Sequence, residues 1–314
     1  MPKHPNELFR RKIKMLRNPK KKKQFYKNQE NRKVSWPEYN LSKIEEIKDE
    51  LNFIRNSVNK IRFDLVRGVG RPPTNPKDLA KAILFCEAIG LPERQAQGWL
   101  EMIGPFLGIH ELDDRVIGEA YSNPDVIRIL TQVFEETKSS NGILQGDGSG
   151  LERSRKENYE KEKDKNEGRY MISIVDSREV VQAFDISSVS ECKVMKKLLK
   201  NVKGKKMSLD SGFVDKELVK QISLIGMTPY VFPKKNNNMN GDVYWQKMCY
   251  NFYLNTLEWL VDYHQRNHTE SFHSSFKRVF GIVTKLRFSC KFTQVCARII
   301  LHNSRRLRYF NRLK

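Results

Sequence analysis

The sequence predicts an α/β fold, a mixed sheet flanked by helices and preceded by an all-helical region. Three observations predict it. Apolar residues recur at helical spacing between about 41 and 140, and the texture then changes to short β-rich runs alternating with helices. The 314 residues, 39% hydrophobic with four Trp and seventeen Phe, are also enough to fill a sizeable core.

Residues 1 to about 40 are polar and lysine-rich, with nine Lys or Arg and no acid between Arg10 and Lys23. A block of this kind is expected to be a solvated, flexible basic arm. From about 41, LSKIEEIKDELNFIRNSVNKIRFDL carries helical spacing, and RGVGRPPTNP breaks it. Asn75 and Pro76 cap KDLAKAILFCEAI, GLP makes a turn, and ERQAQGWLEMIG forms a second helix. The pair fits a helix-turn-helix or an ordinary helical hairpin equally well. Asn123 and Pro124 start another helix, DVIRILTQVFEETK.

After about 141, ILQGDGSGL reads as a strand ending in a glycine-rich turn, and ERSRKENYEKEKDKNEG as a solvent-exposed excursion. RYMISIVDS and EVVQAFDIS are β-rich runs about a two-residue turn, consistent with a hairpin. ECKVMKKLLKNV is helical, KKMSLDSGF a strand, VDKELVKQISLIG a helix and TPYVFPK a last strand. The order β-β-β-α-β-α-β-α resembles a ribonuclease H-like sheet. The predicted division is a basic arm over 1–40, a helical region over 41–140 and the sheet domain over 141–314.

The balance of 58 basic against 37 acidic residues, net +21, favours a polyanionic partner, nucleic acid or an anionic membrane surface. No apolar run approaches a membrane span, and MPKHPNELFRRKIK has no apolar signal core, so a cytoplasmic, nucleoid-associated protein without a membrane role is expected. The five cysteines form no C-x-x-C pair and read as reduced packing residues.

Asp147 and Asp210 each end a predicted strand and precede a glycine within two positions, which pushes the carboxylate out at a turn. Asp before Gly is also common turn chemistry. Further on, YHQRNHTESFHSSFK places Tyr263, Arg266, Glu270 and Lys277 at offsets 0, 3, 7 and 14. On one continuous helix these fall within a stripe roughly 60° wide, with Phe272 and Phe276 on another face. An Arg266–Glu270 ion pair alone would be worth a few tenths of a kcal/mol and would not account for the other two.

The pattern Y-x2-R-x3-E-x6-K resembles the signature of DDE-type transposases of insertion sequences. GDGSG resembles the segment with that family's first aspartate, LDSGF its D-x-G-Y segment with Phe for Tyr, and FKRVFG with HNSRRLRYF its C-terminal end. The resemblance runs from about 141 to 314. It implies that Asp147, Asp210 and Glu270 are catalytic and hold two Mg²⁺ ions, with Mn²⁺ expected to substitute. It also implies DNA-phosphate contacts from Tyr263, Arg266 and Lys277. The implied partners are double-stranded DNA, both terminal inverted repeats and target, and a second copy of the chain on paired ends. With 60 residues between Asp210 and Glu270 there is no room for the large all-β insertion of some relatives. A catalytically silent DNA-binding descendant and a non-mobile nuclease of the same fold are the alternatives. His264 and His268 lack the Glu of a zinc helix, GDGSG lacks phosphate-loop spacing, and Trp245 and Trp259 are expected in the core.

Overall fold

The computed structural model describes residues 5–18, 20, 34–64, 73–152, 168–188 and 191–313. In chain order, α1 (Pro5–Leu16), α2 (Trp36–Ile44), α3 (Glu46–Lys60), α4 (Pro76–Ile89), α5 (Glu93–Leu107), α6 (Asp114–Ala120) and α7 (Pro124–Glu136) come first. Next are β1 (Ile143–Gly150), β2 (Tyr170–Asp176), β3 (Val181–Ser187), α8 (Glu191–Leu198), β4 (Lys206–Leu209), α9 (Lys216–Leu224) and β5 (Thr228–Val231). Helices α10 (Val243–Leu254), α11 (Thr256–His264), α12 (Asn267–Phe280) and α13 (Phe288–Arg312) complete the chain. Two compact units result: Met1–Val34, Ser140–Ser149 and Met171–His273 form the first, and Ser35–Ser139, Gly150–Tyr170 and Ser274–Lys314 the second.

The first unit holds a five-stranded mixed sheet in the order β3-β2-β1-β4-β5. β1, β4 and β5 pair in parallel, while β2 and β3 are joined as a hairpin. The turn is longer than the two residues expected, because buried Asp176 organises it. Its Oδ1 accepts from the N–H groups of Arg178 (2.9 Å) and Val180 (3.0 Å), and Glu179 takes φ +66° to close the loop. Arg178 returns two donors to Oδ2, at 2.9 and 2.7 Å.

Gly146 shows why β1 carries glycine beside its aspartate. A Cβ there would stand 2.6 Å from Met195 Cε of α8 and 2.7 Å from Leu209 Cδ2 of β4. Gly146→Ala is therefore expected to overpack the sheet face by about 1–2 kcal/mol, read as a lowered urea midpoint; an unchanged midpoint would mean that the methionine moves aside freely.

The start of the chain departs from the flexible arm predicted. Phe9, Ile13 and Leu16 recur at i, i+4 and i+7 and are buried in the core of this unit, with Phe9 edge-on to Phe252 at 5.6 Å. Residues 21–33 of the predicted arm lie outside the described residues.

The second unit is helical. Asn75 accepts from Lys77 N–H (3.0 Å) ahead of Pro76, Gly90 ends α4 at φ +68°, and Asn123 accepts from Asp125 and Val126, as their sequence signals require. The predicted helix from 41 breaks at Glu45 into α2 and α3. The 274–314 segment, expected to be part of the sheet domain, belongs to this helical unit. The cause is α13, whose apolar side, including Val295, Ile299 and Ile300, is buried, and whose Arg298 reaches Glu87 of α4. Glu87 is 7% exposed and fully bonded: its Oε1 accepts from Tyr121 Oη (2.8 Å) and Gln294 Nε2 (2.9 Å), its Oε2 from Arg298 Nε (2.6 Å). Gln294 Oε1 and Arg298 also bind the backbone of residues 282–285.

Candidate active site at the strand ends

Parallel pairing sets the two aspartates side by side. Ile143 lies opposite Lys206 and Gly146 opposite Leu209, so Asp147 and Asp210 are the next residues along one register, on strands about 4.8 Å apart. Asp210 leaves β4 immediately into a short 3₁₀ turn, Ser211–Phe213, whereas Asp147, expected to end its strand, lies inside β1, which runs on to Gly150. Both side chains are half-buried.

The remaining residues come from a junction, where one unbroken helix was expected. α11 ends at His264, α12 starts at Asn267, and Gln265–Arg266 form a tight turn with bonds from Arg266 N–H to Tyr263 O (3.0 Å) and Thr269 N–H to Arg266 O (2.9 Å). The uniform 60° stripe therefore does not exist. The junction is pinned to β4 instead: Lys206 Nζ donates to Asp262 Oδ1 at 2.6 Å, and Ser208 Oγ to Asp262 O at 3.0 Å.

Tyr263 consequently turns inward. It is 8% exposed, stacks on Trp259 at 5.2 Å and 15°, and places its hydroxyl 3.5 Å from Asp210 Oδ1. Arg266 stands between the other two acids, donating from Nη1 to Asp147 Oδ2 (3.3 Å) and from Nη2 to Glu270 Oε1. Arg266 thus joins Asp147, 119 positions earlier, to Glu270, four positions later, while Asp210 is reached by the Tyr263 hydroxyl, 53 positions further on. Lys277 is not drawn in. It is half-buried, seven residues past Glu270 in the chain, and belongs to the second unit.

Burial pushes the Asp147 carboxyl up to about 6; the Gly148 N–H (2.9 Å to Oδ1) and Arg266 pull it back, while Asp210 and Glu270 add to the rise. For Arg266, burial works against its charge, but Tyr263 and the three carboxylates more than offset it and leave the guanidinium above its ordinary range. The cluster therefore holds more negative charge than one arginine neutralises. Its donors are hard carboxylate oxygens, the kind that divalent cations such as Mg²⁺ take. Among the described residues no group of three or more His, Cys, Asp or Glu is arranged to hold a metal ion, and Arg266 fills the space between Asp147 and Glu270.

Two residues beside the site had no distinctive sequence signal. Glu191, in the first turn of α8, packs its carboxyl against Gly148 so closely that a Cβ there would lie 2.5 Å from Oε1. Gln145, two residues before Asp147 and fully buried, faces Ser208 across the strand pair. Trp245 and Trp259 are core residues, as their setting suggested. His268 Nδ1 lies 3.9 Å from Glu179, and His264 packs edge-on to Tyr263. No helix among the described residues is long and apolar enough to cross a membrane. No protein-family model, curated protein or solved structure matches the chain.

Proposed function

We propose that this chain is a DDE-type DNA transposase, which binds the terminal inverted repeats of an insertion sequence and cuts and joins DNA. The observation that carries the reading is the Arg266 bridge. Residues from β1 and from the α11–α12 junction meet around one guanidinium, beside an aspartate set level on β4. The strand order β3-β2-β1-β4-β5, with a hairpin at one edge and parallel strands at the other, supports a ribonuclease H-like sheet.

In this reading Asp147, Asp210 and Glu270 would hold two Mg²⁺ ions, or Mn²⁺ in their place, once Arg266 turns out from between Asp147 and Glu270. The chemistry those ions supply when bound is activation of a water or 3′-hydroxyl and stabilisation of the leaving oxygen. The protein's own groups position the reaction. Asp262, held by Lys206 and Ser208, fixes the junction, and the Tyr263 hydroxyl orients Asp210. Arg266, shared between two carboxylates, can turn its fork to a backbone phosphate, and Lys277 offers a point charge. The chain acts as a dimer on paired ends, with target DNA as second substrate.

The test is a cleavage assay with Mg²⁺ on duplexes carrying the inverted repeats that flank the gene, beside duplexes with those repeats scrambled. Cuts at the repeat ends alone are expected. Binding without any cleavage would instead assign a silent DNA-binding descendant.

A further inference from the structure

α1 and the residue after it carry five cations in eight residues, Arg10, Arg11, Lys12 and Lys14 on the helix and Arg17 just past it, against a single acid, Glu7. Among the described residues none of the five forms an ion pair. Three are fixed by neutral backbone carbonyls: Arg10 Nε donates to Asn237 O (3.3 Å), Lys12 Nζ to Tyr253 O (2.5 Å) and Arg17 Nη2 to Pro233 O (3.1 Å). These bonds orient the side chains without cancelling their charge. Arg11 and Lys14 are exposed and border a groove of about 680 Å³ with Leu8, Met15, Tyr253 and Leu254.

Like charges at i, i+3 and i, i+4 on a helix repel, so Arg11–Lys14 and Arg10–Lys14 both oppose the helix that carries them. The helix persists because Phe9, Ile13 and Leu16 anchor it in the core. A rigid row of uncancelled cations is complementary to a regularly spaced row of phosphates. It also binds them with less ordering entropy than a flexible tail does.

We infer that the exposed face of α1 is a docking surface for the phosphate backbone of duplex DNA, built into the sheet unit and reading no bases. This rests on the proposed DNA substrate. It also makes deletion of residues 1–40 an unsuitable test, since the deletion removes three core side chains along with the charge.

The suitable variant is Arg11→Ala with Lys14→Ala in the full chain, both side chains being exposed, so that thermal stability is expected to hold. Binding of a random-sequence duplex would be followed by anisotropy across a salt series, with anionic vesicles of phosphatidylserine as a parallel ligand. The slope of log K against log salt should fall by about 2, close to 0.9 for each phosphate no longer neutralised. Arg11→Glu with Lys14→Glu should deepen the loss. A slope equal to that of the original chain would overturn the α1 surface while leaving the DNA reading intact. Loss confined to vesicle binding would overturn it in favour of a membrane contact. Failure of the unaltered chain to bind any duplex would overturn both.

Discussion

Asp147→Asn is expected to abolish DNA cleavage, by about a thousandfold or more, or roughly 4 kcal/mol of barrier, and yet to make the chain harder to unfold. The two effects share one cause. The folded carboxyl is pushed from an ordinary 3.8 up to about 6, first by burial and then by Asp210 and Glu270. The folded state therefore binds this proton more tightly than the unfolded chain does. The stabilising contribution is present in full below about pH 4, is lost as pH rises through about 6, and leaves the protein near neutrality carrying a penalty. At about 1.36 kcal/mol per pH unit that penalty is on the order of 3 kcal/mol. The amide escapes it, so at pH 7.5 the variant should melt higher than the original while cutting nothing. Glu270→Gln provides the contrast, because Glu270 is exposed: cleavage should be lost without a gain in melting temperature. Undiminished cleavage in Asp147→Asn would remove this residue from the site, and a lower melting temperature would show that its bond to Arg266 outweighs the cost of burial.

Glu87→Ala is expected to have the largest effect on stability. It deletes the acceptor of three buried donors and leaves Arg298, itself 5% exposed, without its counter-charge. Breaking a buried pair from one side costs about 3–5 kcal/mol, a large share of the roughly 5–15 kcal/mol that holds a folded domain together. The urea midpoint should drop accordingly. The residues 282–285, whose backbone is gripped by Gln294 and Arg298, should lose amide-exchange protection first. Glu87→Gln, which keeps one acceptor oxygen but turns an NH2 donor either to Arg298 or to Tyr121 and Gln294, should lie between the alanine variant and the original chain. A change below about 1 kcal/mol in the alanine variant would show that water or a neighbouring group replaces the carboxylate.

The sheet and Asp210 were legible because each signal is local: β-rich runs bounded by turns, and an acid followed by glycine where β4 stops; the same signal misplaced Asp147, which lies inside β1. The spacing of Tyr263, Arg266 and Glu270 was legible as well, but not its geometry. YHQRNHTESFHSSFK contains no glycine or proline to announce a break, and the turn at Gln265–Arg266 is held from outside by Lys206 and Ser208 of β4. The apolar spacing of Phe9, Ile13 and Leu16 was present in the sequence, but nine nearby cations outweighed three side chains in any reading by composition. The allegiance of α13 depends on pairs such as Glu87–Arg298, 211 residues apart, a separation over which no local pattern carries information.

The docking of α1 sets a timetable for synthesis. Lys12 and Tyr253 are 241 positions apart, so α1 leaves the ribosome long before the partners that bury it exist. At about 5–20 residues per second that delay is roughly 10–50 s. Throughout it, a greasy, cationic segment is presented to the crowded interior beside ribosomal RNA, and every newborn copy must pass through that vulnerable interval before its sheet can close.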